Sequence, residues 1–182
     1  FITELEKALC KGDIDLAVHS VKDITTTLHS DTKMGWYRTP EARTDCVVWA
    51  DPNVSYTLQT MPPKTRIATS SLRRKAILKQ LRPDCYIVDI RGNVDTRIQK
   101  CRDGYADAVM LSTVGLLRLN RETEIGLECD PTDVIPAPGQ GVIGVQVRKE
   151  ENAVIEALSK HGDHDIARCM IVEHEVVKKV GF

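Results

Sequence analysis

The chain has 182 residues, 42% of them hydrophobic, which suits one globular domain or two small ones. No apolar run approaches the ~20 residues of a membrane-spanning helix, and an aromatic content of 4% leaves few stacking platforms for nucleic acid. The net charge of −1 hides an asymmetry: Lys64 to Arg102 carry eleven Lys/Arg against three Asp, a local balance of +8. Such a block is either a solvated basic face or a site for an anion.

Phe1 opens inside an amphipathic segment, FITELEKALCKG, with Ile2, Leu5 and Leu9 on one face. A chain that starts mid-helix reads as a fragment whose front is missing. IDLAVHS then reads as a short buried strand, followed by the abruptly polar VKDITTT. DCVVWA is a second strand and RIATS a third, leading into the helix SSLRRKAILKQLR, which Pro83 closes. CYIVDIRG is a strand before the helix NVDTRIQKCRDG. ADAVMLST is a strand before the short helix VGLLRLN. GVIGVQVR alternates like a strand, and ENAVIEALSKHG is a helix with a glycine stop. Strands alternating with helices predict an α/β fold with largely parallel sheets. The breaks YRTPEARTD, near residue 40, and DVIPAPGQGV, near residue 136, bracket a central lobe of about 45–135. A chain that leaves one domain, builds a second and returns is expected to place a cleft between lobes.

Chemistry concentrates where strands end. In TSSLRRK, Ser70 or Ser71 can cap the helix, and Arg73 and Arg74 fall in its first turn. That is the positive end of the helix dipole, so two guanidiniums there are misplaced unless an anion joins them. The bland alternative is that both are solvated. RGNVDTR repeats the theme: Arg91 ends a strand, Gly92 permits a turn, Asn93 caps, and Arg97 follows one turn later. Arg118, in GLLRL, comes after another strand. Fork-shaped guanidiniums match carboxylates and phosphates.

Asp23 follows a strand of the other lobe and either caps a turn or moves a proton and stabilises a substrate cation. His19 reads as a packed residue. His161 and His164 have metal-like spacing but flank the loop residues Gly162 and Asp163, so no metal is expected. In PAPGQG, Gln140 either bonds a ligand or braces the crossover. The six cysteines show no CxxC pair and no metal-like spacing, and read as reduced thiols.

Taken together and in order, HSVKD, TSSLRR, RGNVDTR, GLLRL and PAPGQG resemble the hydroxymethylbilane synthase (porphobilinogen deaminase) family over essentially the whole chain. The resemblance implies a transferase that joins four porphobilinogen units into the linear tetrapyrrole hydroxymethylbilane and releases ammonia. It implies a covalent dipyrromethane cofactor and periplasmic-binding-protein-like domains, with the start of a small α+β third domain. On that basis domain 1 is expected in 1–42 and 140–160, domain 2 in 43–139, and the first helix of the cofactor-carrying domain in 161–182.

Asp23 would be the catalytic carboxylate. Lys22, Ser71, Arg73, Arg74, Arg91, Arg97 and Arg118 would hold the acid arms of cofactor and substrate, and Gln140 would lie near the hinge. The partners implied are porphobilinogen and the growing polypyrrole, with no nucleic acid and no membrane, and the protein itself is expected to be a monomer. The compartment would be the cytoplasm, or a plastid or mitochondrion if a transit peptide precedes Phe1.

Two departures stand out. The family usually has a proline soon after the aspartate, where Ile24 and Thr25 stand here. Its cofactor cysteine lies in a Gly-Gly-Cys-like turn beyond the helix that IARCMIVEHEVVKKV resembles, so the attachment thiol is expected past Gly181 and Phe182. Residues 1–182 alone are then expected to make no hydroxymethylbilane. Two other readings share the scaffold: a non-catalytic homologue kept as a binding or structural protein, and a binder of small anions.

Overall fold

The computed structural model describes residues 2–25 and 27–180. Phe1, Thr26 and the turn expected at Gly181 and Phe182 lie outside that range. The chain divides into two compact units, 1–41 with 138–182 and 42–137.

Helix α1 (Ile2–Lys11) buries Leu9 completely, and its last turn is closed by a cation. The Arg148 guanidinium donates to Leu9 O at 3.1 Å and to Ile14 O at 2.6 Å, where the negative dipole end favours it. Strand β1 (Leu16–Ser20) turns Ala17 and His19 inward, while Val18 is 58% exposed. The strand is therefore half-buried with period two, not the fully buried strand that its composition suggests. A 3-10 turn, Val21–Asp23, follows, and then β2 (Thr32–Arg38).

In the second unit, β3 (Asp45–Trp49) is buried on both faces. Cys46 and Val48 enter one hydrophobic cluster, and Val47 and Trp49 enter the other. Next come β4 (Arg66–Ala68), α2 (Leu72–Leu81), β5 (Tyr86–Val88), α3 (Val94–Arg102), β6 (Ala108–Ser112), α4 (Thr113–Leu117) and the two-residue β7 (Leu127–Glu128). They form a sheet ordered β5-β4-β6-β3-β7. Strand β4 runs parallel to β5 and β6, whereas β3 runs antiparallel to β6 and β7.

The chain then returns to the first unit with β8 (Ile143–Arg148), α5 (Asn152–Ser159) and α6 (His164–Val180). Strand β8 is central there, antiparallel to both β1 and β2. The α/β class holds, but this three-stranded sheet is antiparallel and the five-stranded one is mixed, where parallel-rich sheets were expected. The chain reaches β8 from β1 and β2 through the whole 42–137 unit and not through a single crossover helix, so no βαβ unit enforces parallel pairing there. Strand β2 was unforeseen because TKMGWYR lacks clean alternation, and its register shifts between Met34 and Trp36. Residues 138–182 cluster with the first unit, and Met170 of α6 is fully buried in its core beside Val21, Ile24 and Val142. Among the described residues, no helix is long and apolar enough to cross a membrane.

Candidate functional site

In the first unit the chemistry gathers on the 3-10 turn after β1. Val21 and Ile24 are anchored in the core, while Lys22 and Asp23 between them are exposed. The turn is held from several sides. Val21 N donates to Val142 O at 3.0 Å. The PAPGQG loop lies directly against it: a Cβ on Gly139 would come within 2.6 Å of Val21 Cγ1 and 3.1 Å of Lys22 N. With φ at +69°, Gly139 occupies a conformation that side chains disfavour, so both sterics and backbone call for glycine. Its N–H donates to Glu173 Oε2 on α6 at 2.7 Å. Asp23 is thus an exposed carboxylate on a pinned turn, without a hydrogen bond or ion pair to any described residue.

Gln140 is buried at 1% exposure, and both it and Lys22 have interaction partners. His19 is buried and bonded to Gln146 at 3.0 Å, and Gln146 in turn donates to Glu6 and Thr32, so this histidine serves packing. Asp163 caps α6 by accepting from the N–H groups of Asp165 and Ile166, both at 3.0 Å. Those bonds and the Thr39 hydroxyl hold its carboxyl below the usual aspartate range, with the hydroxyl the larger influence.

In the second unit, the predicted groups lie at the carboxyl ends of β4, β5 and β6, the edge where α/β sheets present ligand groups. The loops after β4 and β5 are tied together. Ser70 Oγ accepts from Ile90 N at 3.1 Å and donates to Ile90 O. Ser71 caps α2, its hydroxyl accepting from Arg74 N at 3.4 Å.

The two arginines that follow already hold a carboxylate. Asp45 opens β3 with a fully buried side chain. Arg74 donates to its Oδ1 at 2.7 Å, and Arg73 sits 2.7 Å from its Oδ2. Arg74 also donates to Met110 O at 3.0 Å, and Arg73 to Ile135 O. The anion needed at this helix N-terminus is the chain's own Asp45. Sequence reasoning missed it, and its signal was an acid heading the apolar run CVVW.

The neighbouring loop differs. Asn93 caps α3 by accepting from Thr96 N at 2.8 Å. Arg97 Nε donates to Gly92 O at 2.7 Å, and Lys100 Nζ donates to Arg91 O at 3.0 Å, so both cations solvate the turn's own carbonyls. The Arg91 guanidinium is exposed and has no partner among the described residues. Arg118 is exposed at the end of α4 and does have one.

The basic block is matched in space by acids from outside it. Besides Asp45, Asp107 pairs with Arg66 at 2.7 Å and Glu124 pairs with Arg102. The Arg66 guanidinium holds the Asp107 carboxyl below its ordinary value.

Four of the six thiols are shifted away from reactivity. Burial pushes Cys46 and Cys129 up to about 12 and Cys101 up to about 11, and it raises Cys85 as well. These thiols keep their protons at neutral pH and offer no nucleophilic thiolate.

Comparison with solved structures defines the class of fold. The chain is similar to the periplasmic aliphatic sulphonate binding protein SsuA from Escherichia coli: TM-score 0.53, 12% identity, 98% of this chain and 61% of that one covered. It is also similar to the VFT2 domain of Bordetella pertussis BvgS: TM-score 0.50, 15% identity, 92% and 71% covered. The architecture is therefore periplasmic-binding-protein-like. Residues 1–156 match the family model described as "Porphobilinogen deaminase, dipyromethane cofactor binding domain", and the chain belongs to the porphobilinogen deaminase family. Porphobilinogen deaminases from Roseiflexus sp. (strain RS-1) and Coxiella burnetii (strain RSA 493 / Nine Mile phase I) are 40% and 39% identical over the whole of this chain. The chain spans 59% and 57% of their lengths.

Proposed function

We propose that this chain supplies the catalytic carboxylate and acid-binding groups of an enzyme that polymerises porphobilinogen into hydroxymethylbilane with release of ammonia. Family membership supports the reaction class. The observation that carries the residue assignment is Asp23, exposed, unpartnered among the described residues and held on a turn fixed by β8 and the PAPGQG loop.

A carboxylate so placed suits the chemistry. Loss of ammonia from porphobilinogen requires proton transfer to the leaving amine and leaves positive charge on the pyrrole. An ionised Asp23 stabilises that charge, and its protonated form delivers the proton. The substrate's acetate and propionate arms call for fixed cations, and exposed Arg91 is the best suited of them. Arg118 and Lys22 are exposed as well. Arg97 supports the turn that presents Arg91. Arg73 and Arg74 hold Asp45, and through it they place Ser71 and the loop after β4. A dipyrromethane, when bound, supplies the pyrrole carbon onto which units are added. The exposed cations fit its carboxylate arms, whereas the four thiols that burial holds in the protonated form do not suit its covalent attachment.

The test is Asp23→Asn in the intact protein. Porphobilinogen consumption is expected to fall roughly 10²-fold or more with an unchanged melting temperature. Turnover close to the wild-type rate would remove Asp23 from the chemistry.

A further inference from the structure

The end of α1 and the loop that leads into β2 bring Cys10, His29 and Asp31 to one place on the first unit. Cys10 Sγ lies 3.4 Å from His29 Nδ1, and His29 Nδ1 lies 3.8 Å from Asp31 Oδ2. One donor atom from each residue falls within 4.8 Å of the other two. Cys10 is half-buried and the other two are exposed. Cys10 and Asp31 also line an open cavity of about 320 Å³ together with Ser30, Arg148, Lys149 and Glu150.

Thiolate, imidazole and carboxylate are the three donor types that bind zinc. A tetrahedral zinc with bonds of about 2.3 Å to sulfur and about 2.0 Å to nitrogen holds those two ligands about 3.5 Å apart. The Cys10–His29 separation matches that edge, and Asp31 needs only a small adjustment to complete the face.

Asp31 N–H points at His29 Nδ1 at 3.3 Å, which turns that nitrogen toward the group. A metal would replace that one hydrogen bond. The His29 backbone is fixed on both sides: its N–H donates to Glu6 Oε1 at 3.2 Å, and Thr32 donates to its carbonyl from both N and Oγ1 at 3.0 Å. These bonds hold the backbone from which the imidazole projects. Arg148, the nearest guanidinium along the cavity, is neutralised by Asp15 at 3.0 Å and Glu151 at 2.8 Å, so it does not compete for Asp31.

We propose that Cys10, His29 and Asp31 form a site for zinc or a similar borderline divalent cation, with water in the fourth position. Binding releases the Cys10 thiol proton. The thiolate, His29 Nδ1 and one Asp31 oxygen donate to the metal. The ion staples the end of α1 to the entry of β2 and stabilises the folded unit by mass action. The site shares no residue with the tetrapyrrole chemistry and does not depend on that reading.

The chelator-treated protein, titrated with Co²⁺ and then Zn²⁺, tests this. One Co²⁺ per chain is expected, with a thiolate-to-cobalt charge-transfer band in the near ultraviolet that Zn²⁺ abolishes, and a melting temperature that rises with Zn²⁺. Cys10→Ser should remove the band, and Cys10→Ser, His29→Gln and Asp31→Asn should each weaken Zn²⁺ by more than about tenfold. Cys169→Ser, which alters the exposed thiol on α6, should change neither readout. A wild-type cobalt complex without a thiolate band overturns the proposal, and that result needs no variant to fold. Zinc affinity that survives Cys10→Ser but is lost in Cys169→Ser overturns it too.

Discussion

The N-termini of α2 and α3 carry the same local theme, a polar cap followed within about a turn by arginine, and meet opposite electrostatic fates. At α2 the cations lie over a fully buried Asp45, and one carboxylate answers two guanidiniums and the helix dipole. At α3 the turn bonds to itself through Arg97 and Lys100, and Arg91 is left facing solvent. A capped helix start with arginine is therefore not in itself an anion site. The deciding factor is whether the fold brings an internal acid to it. The α2 terminus is set by charge, and the α3 terminus by backbone geometry.

Three substitutions probe this contrast. Asp45→Ala should be the most damaging, because it strands Arg74 in a buried position. The expected loss is about 3–5 kcal/mol, read as a fall in the urea midpoint. A loss no larger than that of an exposed site would mean that the two arginines find other partners and that charge does not set this terminus.

Gly92→Ala attacks the α3 terminus instead. Gly92 has φ at +125°, and a Cβ there would lie 2.7 Å from Thr96 Cγ2. The cost should be about 1–3 kcal/mol. Adding Thr96→Ala should recover only the Cγ2 part of the clash, since the residue 96 Cβ would still lie 2.9 Å away, and leave the backbone part. Full recovery in that double variant would contradict the assignment of strain to φ.

Arg91→Leu should alter stability least, by no more than about 0.5 kcal/mol. Binding of a carboxylated pyrrole to the intact protein should nevertheless weaken clearly. Unaltered binding would leave the exposed guanidinium without a role and erase the functional half of the contrast.

Much of the fold was legible because its strands and helices carry local signals. Ser71 and Asn93 cap where capping chemistry places them, and the Pro83 and Gly104 stops fall at the ends of α2 and α3. Strand β2 was not legible, since a register shift breaks its alternation, and β7 is too short to have a pattern. The antiparallel pairing of β1 with β8 was not legible because pairing order depends on distant segments. The same limit applies to side chains. Asp23 could be singled out from its place after a strand. Asp45 could not be connected with Arg73 and Arg74, 28 and 29 positions along the chain, and the Cys10–His29–Asp31 group joins a helix to a loop with no motif spacing.

The central position of β8 has a consequence for the order of events during synthesis. Strands β1 and β2 emerge early, yet neither pairs with the other, and their common partner begins at Ile143. Until the ribosome has made β8, both remain without their ladder, and the Val21 N–H that pins the Asp23 turn lacks its Val142 acceptor. The 42–137 unit, continuous in sequence, is complete before that point and can fold first, shortening the effective loop that the early segment must close. The turn bearing Asp23 is thus translated before the 42–137 unit yet acquires its shape after it.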